Sequence, residues 1–249
     1  MSTADSSGDF LGRNGDYIYY KVNGELRKRK APGKSFSKKV KKAPEFAKFR
    51  AHGEIKGRSS SLGKMIRDSL IGMEVGFFDQ DTHFRLSDAI HKGMLADKER
   101  FMAKQPFIFR HAANLAGFKF REGMNRSVYF SDPDLVNEEG RNLIKFEYIK
   151  DSAVDQFSHV GISVLIGGYD FNKVRGGLVG ESNRILNLKE EKGGFCLELP
   201  EVDLVPGLIY LVMLKIEPYQ LVNSKYVRLF NSKYQYLEII EVIKMRSLK

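Results

Sequence analysis

Three places in the sequence bring groups that do chemistry close together. Asp79-Gln80-Asp81-Thr82-His83 offers two carboxylates and an imidazole within five residues. Hard cations take carboxylate oxygens, and alternate residues of an extended segment point the same way. No second ligand pair stands beside this cluster, so it reads first as a polar loop leading into a helix. Replacing Asp79 and Asp81 is then expected to change neither stability nor metal content.

The second place is Gly57-Arg58-Ser59-Ser60-Ser61-Leu62-Gly63-Lys64-Met65, which approaches a phosphate-binding loop. It has five residues between its glycines where four are required, and Met65 stands where a Ser or Thr would hold Mg²⁺. No strand precedes it, so a helix break with a basic flank is the expectation. The five histidines, His52, His83, His91, His111 and His159, form no His-Glu-x-x-His frame and share no short motif with Cys196. Neither a Gly-x-Ser-x-Gly elbow nor a Gly-x-Gly-x-x-Gly turn occurs. Cys196 is the single cysteine, which excludes an internal disulfide framework and a Cys-based zinc site and fits a reducing compartment. It lies in an alternating stretch, opposite in parity to Phe195, Leu197 and Leu199.

The third place is a basic, aromatic arm. From Arg27 to Arg50 there are eleven Lys/Arg and one acid, Glu45, with Tyr17, Tyr19, Tyr20, Phe36, Phe46 and Phe49 in or beside the run. Cations neutralise phosphates and release counterions, and tyrosines stack on bases. A two-stranded ribbon also fits a DNA major groove, where Arg contacts guanine edges. The candidate nucleic-acid-binding residues are Tyr17, Tyr19, Tyr20, Arg27, Lys28, Arg29, Lys30, Lys34, Lys38, Lys39, Lys41, Lys42 and Arg50. The alternative for this segment is that its aromatics bury in a core while the lysines face water.

The whole charge excess belongs to this region. The net charge is +10; residues 1–72 hold 17 Lys/Arg against 7 Asp/Glu, and residues 73–249 hold 24 of each. Such asymmetry points to a polyanionic partner. At 249 residues, 42% hydrophobic and 29% charged, the chain has the composition of a globular protein with a sizeable core. The N-terminal stretch carries no basic-then-apolar signal pattern, and the longest apolar run, Leu208–Leu214, is seven residues against the ~20 of a membrane helix. A cytoplasmic protein that does not span a bilayer is expected.

These residues are positioned by elements legible along the chain. Residues 1–15 hold little that packs and read as a mobile N-terminus. Asn23-Gly24 is the preferred pair of a type I′ turn, and a two-residue loop pairs Val22 with Glu25, Tyr20 with Arg27, Tyr19 with Lys28 and Tyr17 with Lys30. An isolated hairpin is marginal in water. Pro44-Glu45 suits a helix start, and Phe46, Phe49, Ile55, Leu62, Ile66 and Leu70 predict one or two helices to about Ser69. Gly53, Gly57 and Gly63 interrupt them, so either close packing at Gly53-x-x-x-Gly57 or a break near Ser59–Ser61 is expected. Leu86–Leu95 reads as a short helix. Strands follow at 107–109, 118–120, 128–130, 144–148, 160–166, 195–199, 208–214, 225–230 and 234–242, with Asn231-Ser232-Lys233 as a hairpin loop between the last two. Short strands with turns between them predict a two-sheet sandwich.

The fold expectation is therefore mostly β with an N-terminal α/β arm: an antiparallel β-sandwich (105–249) preceded by a basic β-hairpin and helices (16–72) and a helical connector (73–104). Removal of residues 1–72 is expected to leave a folded, nearly neutral β domain. The order of a Tyr-rich hairpin, a Lys-rich continuation, Pro44-Glu45-Phe46 opening Gly-containing helices, Arg85-Leu86, Leu115-Ala116-Gly117-Phe118-Lys119-Phe120, Tyr219–Asn223 and Leu237–Val242 resembles an uncharacterised family of small basic bacterial proteins. The resemblance covers most of the chain and implies no activity or site residues. Function is expected to be non-enzymatic nucleic-acid binding, DNA or RNA, without a cofactor or a metal. The sandwich would serve homo-oligomer assembly or a protein contact. The alternatives are a structural protein whose arm docks on a neighbouring subunit or acidic partner, and a ligand-binding or hydrolytic sandwich using Asp79, Asp81 and His83.

Overall fold

Strands are the largest class of element in the molecule, and turn positions set their register. The computed structural model describes residues 3–4, 10–72, 74–96, 98–106, 109–126, 129–130, 133–138, 141–147, 157–190 and 193–244. Strand accounts for 42% and helix for 28%, so the protein is mostly β. The chain divides into two compact units, Met1–Glu54 and Ile55–Lys249.

The first unit is an antiparallel meander of β1 (Thr3–Ala4), β2 (Phe10–Asn14), β3 (Tyr17–Val22) and β4 (Glu25–Lys30), followed by α1 (Lys34–Lys42) and a 3₁₀ turn at Pro44–Phe46. Residues 10–14, expected to be mobile, instead form a strand because Gly15-Asp16 makes a second two-residue turn that pairs Asn14 with Tyr17. The Lys34–Lys42 run is helical, with Phe36 and Val40 one turn apart. Phe36 meets Phe46 edge-on at 5.8 Å.

α2 (Ala47–Asp68) begins in the first unit and ends in the second. It is one continuous helix, with no break at Ser59–Ser61. A side chain at Gly53 or Gly57 would meet open space, whereas one at Gly63 would lie 3.0 Å from Ser87 Oγ. The close approach is therefore made at Gly63, against α4 (Thr82–Leu95), which follows the short α3 (Glu74–Phe77). Ile55, Leu62, Ile66 and Leu70 are all 0% exposed. The first three lie on one face of the helix and Leu70 in the turn that follows it, all in the common core.

After α5 (Lys98–Met102) and α6 (Phe109–Ala112) the chain turns to strands: β5 (Phe118–Lys119), β6 (Asp134–Glu138), β7 (Arg141–Phe146), β8 (His159–Asp170), β9 (Arg175–Asn187), β10 (Phe195–Glu198), β11 (Ile209–Val222), β12 (Lys225–Arg228) and β13 (Tyr236–Lys244). They form a larger antiparallel sheet in the order β5-β13-β11-β8-β9, with β12 added to β11, and a smaller sheet in the order β10-β7-β6. Every residue of β8 is buried, as a central strand covered on both faces requires. On one face Phe130, Phe146 and Phe195 cluster at the smaller sheet, where Phe146 and Phe195 stack at 4.8 Å, and Arg184 of β9 in the larger sheet lies over Phe195. On the other face the helices close the core, with the Tyr169 hydroxyl 2.6 Å from Ser69 Oγ.

β12 pairs with β11 through Asn223-Ser224, both at positive φ, so Asn231–Lys233 is not the loop of a hairpin. The expected strands at 107–109 and 128–130 lie partly outside the described residues, and Phe109 opens α6. The division between units falls at Glu54/Ile55, within a helix, because the α2 residues beyond it are packed in the core.

Candidate nucleic-acid interface

Local geometry builds the ribbon as its residues dictate. Asn23 (φ 52) and Gly24 (φ 82) both take the positive φ that a type I′ turn needs. The register is Val22–Glu25, Tyr20–Arg27, Tyr19–Lys28 and Tyr17–Lys30, as the two-residue turn predicts. Successive side chains then alternate between faces. Tyr17, Tyr19, Lys28 and Lys30 share one face; Tyr20, Arg27 and Arg29 share the other. The cations sit on the rings: Lys28 Nζ lies 5.5 Å from the Tyr17 centroid and the Arg29 guanidinium 5.8 Å from that of Tyr20. Phe10 meets Tyr19 edge-on at 5.9 Å. All six residues of β4 are exposed.

α1 carries the second group of cations. Lys38, Lys39, Lys41 and Lys42 are exposed, and Lys34 opens the helix. Three of these lysines lie in the last turn, where the helix dipole favours positive charge. Among the described residues Lys30, Lys38, Lys39, Lys41 and Lys42 form no ion pair, while Arg27 meets the exposed Glu25 at 3.2 Å. That pair is open to solvent and worth little.

Arg50 does not join this surface. Its Nη1 donates to the carbonyls of Val40 (2.8 Å) and Ala43 (2.9 Å), closing the C-terminal end of α1. Unsatisfied carbonyls at a helix end and the negative pole of its dipole explain why the guanidinium turns inward. Two cations not anticipated by the site reading belong with the ribbon instead. Arg13 stands in register with Ile18 and Arg29, and Lys21 lies on the face of Tyr19. The signal for Arg13 was the Gly15-Asp16 turn, which makes residues 10–14 a third strand.

The other chemical clusters are consumed by structure. Asp79 Oδ2 accepts from Arg85 Nη2 (2.7 Å) and from the Glu122 N–H (2.9 Å), and Oδ1 accepts from the Asp81 N–H (3.1 Å) and the Thr82 hydroxyl (2.8 Å). Burial alone would raise its pKa; the hydrogen bonds from Glu122 and Thr82, with the charge of Arg85, outweigh burial and hold it below the ordinary aspartate value. His83 packs on Phe84, with ring centroids 3.8 Å apart. Among the described residues no group of three His, Cys, Asp or Glu stands close enough to hold a metal ion. The segment 57–65 is helical throughout, and Ser59 and Ser61 donate to carbonyls one turn back.

Asp79 is thus a latch between the start of α4 and the segment after β5, and its replacement should cost stability, contrary to the sequence expectation. Asp79→Asn is expected to lose about 1.5–3 kcal/mol at pH 7, the range for hydrogen bonds to a charged group. A depressed folded pKa contributes stability that is present above the unfolded value and lost as pH falls through the folded one. The gap between wild type and variant should therefore narrow below about pH 4. Urea melts at pH 7 and pH 3 check both signs; equal stability at pH 7 would contradict the latch.

An open cleft of about 690 Å³ on the smaller sheet is lined by Asp134, Lys145, Phe146, Glu147, Gly194, Phe195 and the exposed Cys196. Among the described residues no helix is long and apolar enough to cross a membrane. Compared with protein-family models, curated proteins and solved structures, the chain finds no match in any of the three.

Proposed function

We propose that the protein binds nucleic acid through its N-terminal unit, by electrostatic contact and without catalysing a reaction. The second unit serves assembly or a protein contact. The observation that supports this most is β4, an exposed strand on which Arg27, Lys28, Arg29 and Lys30 follow one another. It shares its compact unit with a helix of exposed lysines. Such a surface concentrates positive potential where phosphates would neutralise it. No cofactor is needed for this, and a cytoplasmic location is part of the proposal.

Full-length protein titrated against labelled DNA and RNA should bind with an affinity that falls steeply with salt. Five to eight phosphate contacts imply a log–log slope of roughly −4 to −7 on duplex DNA. No binding to any nucleic acid at low salt would refute the proposal. The second reading, docking on a neighbouring subunit or an acidic partner, is favoured by Phe36 (49% exposed) and Phe49 (67% exposed) beside the same cations. Under it the protein would be oligomeric by light scattering and indifferent to nuclease treatment.

A further inference from the structure

We infer that the N-terminal sheet enters the major groove of duplex DNA along its β4 edge, with arginines toward one phosphate wall and lysines toward the other. This rests on the nucleic-acid proposal above and adds the partner and the mode of docking. Among the described residues β4 pairs with β3 alone, so its other edge is open, and no side chain on it is buried. Strand alternation sends Arg27 and Arg29 to one face together with Arg13, and Lys28 and Lys30 to the other together with Lys21. The cations are split three and three, segregated by type.

A single strand lying on a sheet uses one face and needs open rings on which bases stack. In this sheet Tyr17 and Tyr20 stay partly exposed, but Lys28 and Arg29 already lie over one side of their rings and Phe10 abuts Tyr19, so a stacking base would compete with these contacts. Binding on either face would also leave half of the cations without phosphates. A groove supplies phosphates on both sides at once. The DNA major groove, about 12 Å wide, admits a two-stranded ribbon; the minor groove, about 6 Å wide, does not. The major groove of A-form RNA is too deep and narrow for side chains to read. With a rise of about 3.4 Å per residue, the six residues of β4 extend over roughly 20 Å, about six base-pair steps. Glu25, one residue past the turn and 3.2 Å from Arg27, is the one acid on this edge and opposes the docking.

The test uses the full-length protein and fluorescence anisotropy with a short DNA duplex, an RNA duplex of the same sequence and the single DNA strand, between about 50 and 200 mM salt. Arg27→Ala/Arg29→Ala and Lys28→Ala/Lys30→Ala should each weaken duplex DNA binding by a similar factor, about tenfold or more. Each should flatten the salt slope by about two units, one per lost phosphate. Glu25→Gln should tighten binding. Methyl green, a major-groove ligand, should compete, and netropsin, a minor-groove ligand, should not. These residues are exposed, and circular dichroism of each variant checks that it folds. Loss of affinity in only one of the two double variants, equal affinity for the RNA duplex, or displacement by netropsin would overturn the groove assignment. Binding to the single strand alone would overturn it while leaving the nucleic-acid proposal standing. Binding to none of the probes would remove both.

Discussion

Deleting residues 1–72 should leave a chain that does not fold, whereas deleting residues 1–46 should leave a folded body. The longer deletion removes Ile55, Leu62, Ile66 and Leu70, four side chains with no solvent exposure in the common core. Truncating one such side chain to alanine costs about 2–5 kcal/mol. Loss of all four, about 8–20 kcal/mol on that scale, is as large as the ~5–15 kcal/mol by which a domain is stable. The shorter deletion removes the basic meander and α1 but keeps α2 whole. A cooperative melt for the shorter chain, and a broad, non-cooperative one with exposed apolar surface for the longer, are the expected results. A sharp melt for the chain beginning at residue 73 would show that the sheets close their core without α2.

Glu217→Gln should be the most damaging single substitution at a polar position. Glu217 is 3% exposed and lies between two cations, Lys215 Nζ at 2.8 Å and Arg228 Nε at 2.9 Å. Arg228 is itself held over the rings of Phe77 (5.2 Å) and Phe230 (4.9 Å). Burial and then the Glu217 charge raise the pKa of the neighbouring Tyr219 hydroxyl. Glutamine keeps the shape but leaves Lys215 and Arg228 facing each other in a poorly solvated site. Breaking a buried pair in this way costs about 3–5 kcal/mol. At about 2–4 °C per kcal/mol, the thermal midpoint should fall by roughly 6–20 °C. Adding Lys215→Met to Glu217→Gln removes one of the stranded charges and should recover part of the loss. A single variant within about 0.5 kcal/mol of wild type would mean that the cluster is solvated and contributes little.

The basic ribbon was legible in the sequence because its determinants are local. Asn23-Gly24 meets the steric demand for positive φ within two residues, and counting outward from the turn assigns each Tyr its cationic partner. The alternation of Val160, Ile162, Val164 and Ile166 likewise carries the strand in its own side chains. Gly15-Asp16 is a weaker turn signal, and the strand it adds brings Arg13 into register with Ile18. Arg50 turns to two carbonyls at the end of α1, partners that exist only once that helix has formed.

Other features depend on residues far apart in the chain. Asp79 reads as a loop acid until Glu122 and Arg85 are brought to it. Glu217 and Lys215 continue an apolar strand, and nothing nearby in sequence shows that Arg228 will complete their charge. β12 chose β11 over β13, against the expected hairpin. α2 carries glycines that weaken a helix in isolation, and its fully buried face fixes it against the core. Sterics and periodicity act over a few residues and so leave a trace in the sequence. Burial and charge pairing act between elements, and only the folded chain decides which faces meet.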